Sequence, residues 1–143
     1  MIKIDIYKNF KDFTLDVKFH HEKGIGILFG KSGAGKTMTL NCISGFAKPD
    51  DGEITINGNL LFSSEKNINI DPSKRKIGYI LQEPYLFPHL GVKKNLLFGM
   101  KNFDKNLFEK VISVLDVENL IHRSIKKLSG GEKQRISIGR ALL

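Results

Sequence analysis

Tryptophan is absent from the 143 residues, cysteine occurs once and proline only four times. A lone thiol, Cys42, closes no internal disulfide, and without a second cysteine there is no paired spacing of the kind that holds zinc. A disulfide scaffold and a thiolate metal centre are thereby excluded, and we read Cys42 as a small core side chain. No apolar run approaches the roughly 20 residues of a membrane-spanning helix, and the opening MIKIDIYKNF alternates apolar with polar where a secretory leader would be apolar throughout. This pattern predicts a soluble, cytosolic chain. Acidic residues are also few, 15 against 23 Lys and Arg, for a net charge of +8. The excess is lysine scattered along the chain without interleaved aromatics, which argues against nucleic acid as a partner and suits a polyphosphate ligand.

A hydrophobic content of 41% is enough for one modest core. Short β-like segments are expected at 3–7, at 13–19 with Phe13, Leu15, Val17 and Phe19 on alternate positions, and at 24–29, the last apolar enough for a strand buried on both faces. A helix is expected over 37–46, ending near Gly45, followed by a hairpin whose strands 53–56 and 59–62 meet at Asn57-Gly58. Residues 63–76 read as a polar loop and 77–81 as another short apolar strand, ending at Gln82. Helices are then predicted from about Val92 to Phe98, and around Leu107, Phe108, Val111, Ile112 and Leu115 with Asp104 or Asn106 as the cap.

Residues 30–37, GKSGAGKT, match G-x-x-x-x-G-K-S/T at every fixed position. Gly30, Gly33 and Gly35 are expected to adopt backbone conformations barred to side chains, so that N–H groups along Gly30, Lys31, Ser32, Gly33, Ala34 and Gly35 converge on phosphate oxygens. The helix that opens behind them adds its dipole. Lys36 reaches the terminal phosphates as a point charge, and the Thr37 hydroxyl suits the oxygen shell of Mg²⁺. Such a loop serves kinases, GTPases and motor ATPases alike, so it leaves the activity open.

A second motif, LSGGEKQR, narrows the choice. Ser129 followed by Glu132 is a capping box, with 133–143 continuing as a helix. Gly130 and Gly131 do not favour that helix, since Gly costs about 1 kcal/mol relative to Ala. Backbone without side chains at a helix N-terminus does admit an anion closely.

With GKSGAGKT, a glutamine at a predicted strand end (Gln82) and LSGGEKQR in that order, the chain resembles the ATPase subunits of ATP-binding cassette transporters over essentially its whole length. The wording of RKIGYILQEPYLFPHLGVKKNLLFGM and LSGGEKQRISIGRALL is most similar to importers of oxyanions, molybdate foremost. The resemblance implies an α/β P-loop NTPase fold with an N-terminal antiparallel β subdomain and a helical subdomain. In that scheme about 1–82 form the β subdomain and phosphate-loop core, about 83–128 the helical subdomain and 129–143 the signature helix. It implies pairing with a second ATPase chain, each ATP lying between residues 30–37 of one chain and Ser129, Gly130, Gly131 and Glu132 of the other. Lys36 and Gln82 would be the catalytic side chains, Thr37 and Gln82 the Mg²⁺ ligands, and Phe10 or Tyr7 the aromatic that stacks on adenine. Residues 83–90 would meet a transmembrane permease through exposed Tyr85, Leu86 and Phe87. The protein would lie at the cytoplasmic face of the membrane, with an extracytoplasmic binding protein as an indirect partner.

Two departures from the family pattern carry expectations. Glu132 stands where Gln is usual, preserving the cap while placing an extra negative charge near the γ-phosphate. The family's following strand, which ends in Asp-Glu (Walker B), and its later switch histidine have no counterpart in these residues, because His20, His21, His89 and His122 all precede the signature. We therefore expect an N-terminal portion of a longer ATPase that binds ATP with little hydrolysis by these residues alone, and whose segments 24–29 and 77–81 are unpaired apolar edges. The competing expectation is a catalytically inert nucleotide-binding module that regulates a partner. A DNA-repair or chromosome ATPase would carry a long coiled coil between the two motifs, and no sustained heptads occur here.

Overall fold

The alternating apolar positions near the N-terminus form strands. In the computed structural model, which describes all residues from Met1 to Leu143, β1 (Ile2–Asn9) pairs antiparallel with β2 (Thr14–His21) and β3 (Asp51–Ile56). With β4 (Asn59–Ser63) and β5 (Ile68–Asn69) they make a five-stranded sheet in the order β2-β1-β3-β4-β5. The register sets Ile4 opposite Phe19 and Ile54, and Ile6 opposite Val17, so one face of the sheet is apolar. That face buries Ile4, Ile6, Leu15, Ile54 and Phe62 together with Cys42 from α1 (Lys36–Ser44), as expected for a core cysteine. Asn57 (φ 50°) and Gly58 (φ 79°) are both left-handed, the geometry that lets a two-residue turn follow the strand twist.

α1 stops at Gly45 (φ 90°), whose N–H reaches back to the Asn41 and Cys42 carbonyls. The Arg75 side chain crosses the same helix end. Its Nη1 donates to the Cys42 and Ile43 carbonyls at 2.9 and 2.8 Å, Nε to the Ile70 carbonyl at 2.8 Å, and Nη2 to Asn69 Oδ1 at 2.9 Å. A Cβ on Gly45 would lie 2.6 Å from Arg75 Nε, so the glycine also makes room for the guanidinium. A cation at a helix C-terminus is stabilised by the carbonyl end of the dipole. Residues 63–76 are consequently more ordered than a polar loop: they contain β5 and a 3₁₀ turn at Pro72–Lys74, whose cap Asp71 accepts from the Ser73 N–H at 2.9 Å.

The expected strands at 24–29 and 77–81 do not form; both segments are irregular. Strand conformation is held by a ladder, and neither segment has a ladder partner in the sheet. The first is also exposed instead of buried, with Ile25 91% and Phe29 99% accessible.

The chain divides into two compact units, Met1–Ile77 and Gly78–Leu143. The second unit is helical: α2 (Val92–Leu96), α3 (Lys105–Val114) and α4 (Gly130–Leu142), linked by 3₁₀ turns at Glu118–Leu120 and Ile125–Lys127. Asp104 caps α3, accepting from the Leu107 N–H at 3.0 Å. The core joins Val92, Leu96, Phe108, Val117, Leu120 and Ile136. Gly139 brings α4 close to its neighbours, since a Cβ there would fall 2.6 Å from Leu96 Cδ2. No helix is long and apolar enough to cross a membrane.

Candidate functional site

Residues 30–37 join an exposed irregular segment to α1. Gly33 (φ 81°) and Gly35 (φ 84°) take the left-handed conformation expected of them, whereas Gly30 does not and carries no such requirement. The Ala34 N–H closes a turn on the Lys31 carbonyl at 3.2 Å. Lys36 Nζ folds across the loop and donates to the carbonyls of Gly30 at 2.8 Å and Lys31 at 2.7 Å, which holds an ammonium group over the turn. Thr37 is exposed in the first turn of α1, its oxygen a hard donor. The next turn is fixed by Thr39, whose N–H and hydroxyl both donate to the Gly35 carbonyl, at 2.8 and 3.0 Å.

Gly35 is also where the loop meets the sheet. A Cβ there would sit 2.6 Å from Leu15 Cδ1 and 2.9 Å from Phe13 Cζ. Phe13 stacks on Phe10 with ring centroids 6.0 Å apart, and Lys8 Nζ lies 5.3 Å from the Phe10 centroid. Phe10 packs against the same core as α1. Tyr7 follows the inward-facing Ile6 on β1, so its side chain projects from the opposite face of the sheet. Phe13, read from sequence only as a strand residue, is thus the aromatic that touches the loop.

In the second unit the capping box is formed reciprocally. The Ser129 N–H donates to Glu132 Oε2 at 2.7 Å and the Glu132 N–H donates to Ser129 Oγ at 3.3 Å. These bonds, the one from the Ser129 backbone foremost, hold the Glu132 carboxyl below its ordinary value. Gly130 and Gly131 have nothing within 4 Å of a would-be Cβ, so both face open space. Gln82 is exposed on the irregular segment at the start of this unit.

The chain belongs to the ABC transporter family. The model of that family, described as ABC transporter, matches residues 13–143. The molybdenum import ATP-binding protein ModC of Shewanella sp. (strain MR-4) is 48% identical over 144 residues, covering 100% of this chain and 40% of that protein. Its namesake from Vibrio vulnificus (strain YJ016) is 48% identical over 121 residues, 85% of this chain and 33% of that protein. This chain therefore spans well under half of the relatives it matches. Among solved structures, the dimeric post-hydrolysis state of the ATP-binding cassette MJ0796 bound to ADP and Pi superposes with a TM-score of 0.71 at 24% identity, covering 99% of this chain and 68% of that one. CbiO1 from Clostridium perfringens, part of the ABC transporter complex cbiONQ, gives 0.71 at 20% identity, covering 99% and 60%. These last two show the ABC ATPase fold.

Of the residues named for contact with other ABC subunits, Tyr85 is 65% exposed and Phe87 half-buried, but Leu86 is only 9% exposed and belongs to the helical core. The expectation that Leu86 faces outward is corrected: in so short a segment one side chain must anchor the turn. Sequence reading also missed Asn95, which is fully buried. Its Oδ1 accepts from the Phe87 N–H at 2.8 Å, while Nδ2 donates to the Phe87, Leu90 and Gly91 carbonyls at 3.1 to 3.2 Å. The available signal was an amide at an inward position of a predicted helix, which needs polar partners.

Proposed function

We propose that this chain is the nucleotide-binding portion of an importer ATPase that couples ATP binding and hydrolysis to uptake of an oxyanion, molybdate foremost. The observation that carries this reading is the 48% identity to a molybdenum import ATP-binding protein across 100% of the chain, phosphate loop and signature included. Residues 30–37 hold the ATP phosphates, Lys36 neutralising charge on the terminal groups, while Phe10, seated beside Phe13 on the loop side of the sheet, supports the base. Ser129, Gly130, Gly131 and Glu132 receive the ATP held by a second ATPase chain, and the two open glycines favour that close approach.

Thr37 and Gln82 supply oxygen donors of the kind Mg²⁺ takes, and both are exposed. The ion, when bound, neutralises charge on the phosphates during transfer. Lys36 contributes electrostatic positioning to the same end, and Gln82 orients the attacking water. Residues 83–90 contact a membrane-embedded permease, placing the protein at the cytoplasmic face of the membrane.

The test is uptake of labelled molybdate by cells lacking their own importer ATPase and supplied with the natively encoded protein. Restored uptake that Lys36→Ala abolishes is the expected result. ATP binding without restored uptake of molybdate, tungstate or sulfate would defeat the importer reading and favour a regulatory nucleotide-binding module.

A further inference from the structure

Three consecutive residues in the last turn of α4 have three different tasks. Gly139 admits Leu96 and Leu115 into contact with the helix. Ala141 meets Gly78, where a Cβ would lie 3.2 Å from both its Cβ and its carbonyl oxygen. Between them Arg140 turns to the segment beyond Gln82. Its Nη2 donates to the Tyr85 carbonyl at 2.8 Å and its guanidinium carbon lies 5.2 Å from the Phe87 ring centroid, within cation–π range. The stretch that carries Gln82 is therefore fastened to one helix turn at Gly78 and again at Tyr85 and Phe87.

We propose that Arg140 is a positioning residue that ties the signature helix to the Gln82 segment, so that an event at Ser129–Glu132 is felt at Gln82 and at the Tyr85–Phe87 surface. Asn95 already satisfies the Phe87 backbone, so fixing the turn does not require Arg140. Nor is it placed for packing alone: Nη1 is buried without an acceptor, a cost that an apolar side chain of similar length would avoid. Its position suits a link. From Gly130 to Arg140 the helix rises roughly 15 Å, one rigid element with an open anion-facing end and a far end that grips the segment. This inference rests on the nucleotide-binding reading of both ends.

The test is amide hydrogen exchange with and without MgATP in the protein as the cell makes it, with nucleotide affinity measured in parallel by a fluorescent ATP analogue. In the unaltered protein, ATP is expected to slow exchange at 30–37, at 129–133 and at 83–90. Arg140→Met should keep the affinity and the protection at 30–37 and 129–133, raise exchange at 83–90 roughly tenfold without nucleotide, and lose the ATP response there. A merely structural role would raise the baseline and leave the response. Should Arg140→Met fail to fold, Arg140→Lys decides, since it retains a donor for the Tyr85 carbonyl without the planar stack and should show a reduced response. A full ATP response at 83–90 in either variant overturns the inference while leaving nucleotide binding intact. Absence of ATP protection at 30–37 in the unaltered protein overturns the nucleotide reading and this link with it.

Discussion

Asn95 and Phe87 are joined in both directions: the Phe87 N–H donates to Asn95 Oδ1 at 2.8 Å, and Asn95 Nδ2 donates back to the Phe87 carbonyl at 3.1 Å. One fully buried amide thus replaces the regular ladder that residues 83–91 lack. Asn95→Ala would strand the Phe87 N–H and the Leu90 carbonyl, whereas the Gly91 carbonyl keeps the backbone N–H of residue 95, at about 1–3 kcal/mol for each buried group that water does not reach. We expect a lower melting temperature in a thermal scan and faster exchange of the Phe87 amide. Asn95→Asp should not rescue it, because a carboxylate cannot donate to those carbonyls.

Gly35 is constrained by both conformation and space, with φ at 84° and the Leu15 and Phe13 side chains under 3 Å from any Cβ. Gly35→Ala is expected to cost about 1–3 kcal/mol and to weaken nucleotide binding as the loop shifts. Adding Phe13→Ala relieves the crowding only in part, because the left-handed conformation still penalises a side chain. Melting curves and ATP titrations of the single and double variants measure the two contributions.

Lys36→Ala removes the ammonium that spans the Gly30 and Lys31 carbonyls, both exposed to water. Stability should change little, whereas ATP affinity should fall about tenfold or more, the scale of one charged hydrogen bond. Equal losses in stability and affinity would contradict this assignment.

Arg75 is 5% exposed and is bonded to four oxygens, two of them on the last turn of α1. Burial lowers its pKa from the ordinary arginine value, and the group remains a cation. Arg75→Met leaves the Ile43 and Ile70 carbonyls without their donor, the Cys42 carbonyl keeping the Gly45 N–H, and we expect about 1–3 kcal/mol of destabilisation by denaturant unfolding. Arg75→Lys should recover only part of it, since an ammonium cannot span the Asn69, Ile70 and Cys42 acceptors in one plane.

Glu132 links the signature cap to pH. The folded carboxyl titrates below its ordinary value because the Ser129 N–H, and next its hydroxyl, favour the charged form. Its contribution is therefore complete above the ordinary carboxyl value of the unfolded chain and is lost as pH falls through the lower folded value. Glu132→Gln keeps the reciprocal cap without the titration, so the variant should lose less stability between neutral and acid pH. Melting temperatures of both proteins across that range measure the difference. In the ATP-driven pairing proposed above, where Glu132 would face the γ-phosphate of a partner's ATP, Glu132→Gln should also associate more readily because a negative charge is removed.

Features that obey a local rule were legible before any tertiary contact was known. Asn57-Gly58 could only be a tight hairpin turn, Ser129 and Glu132 sit at the spacing of a reciprocal cap, Gly45 ends a helix, and GKSGAGKT leads into one; each depends on neighbours a few residues away. Tertiary structure decided what depends on distant partners. Arg75 binds a carbonyl 33 positions earlier and Arg140 one 55 positions earlier, separations at which no spacing rule operates. Leu86 went inward because the helical core had a place for it. Apolar runs at 24–29 and 77–81 have strand composition yet no strand geometry, because composition states only a preference, and a ladder needs a second chain segment alongside to receive its hydrogen bonds.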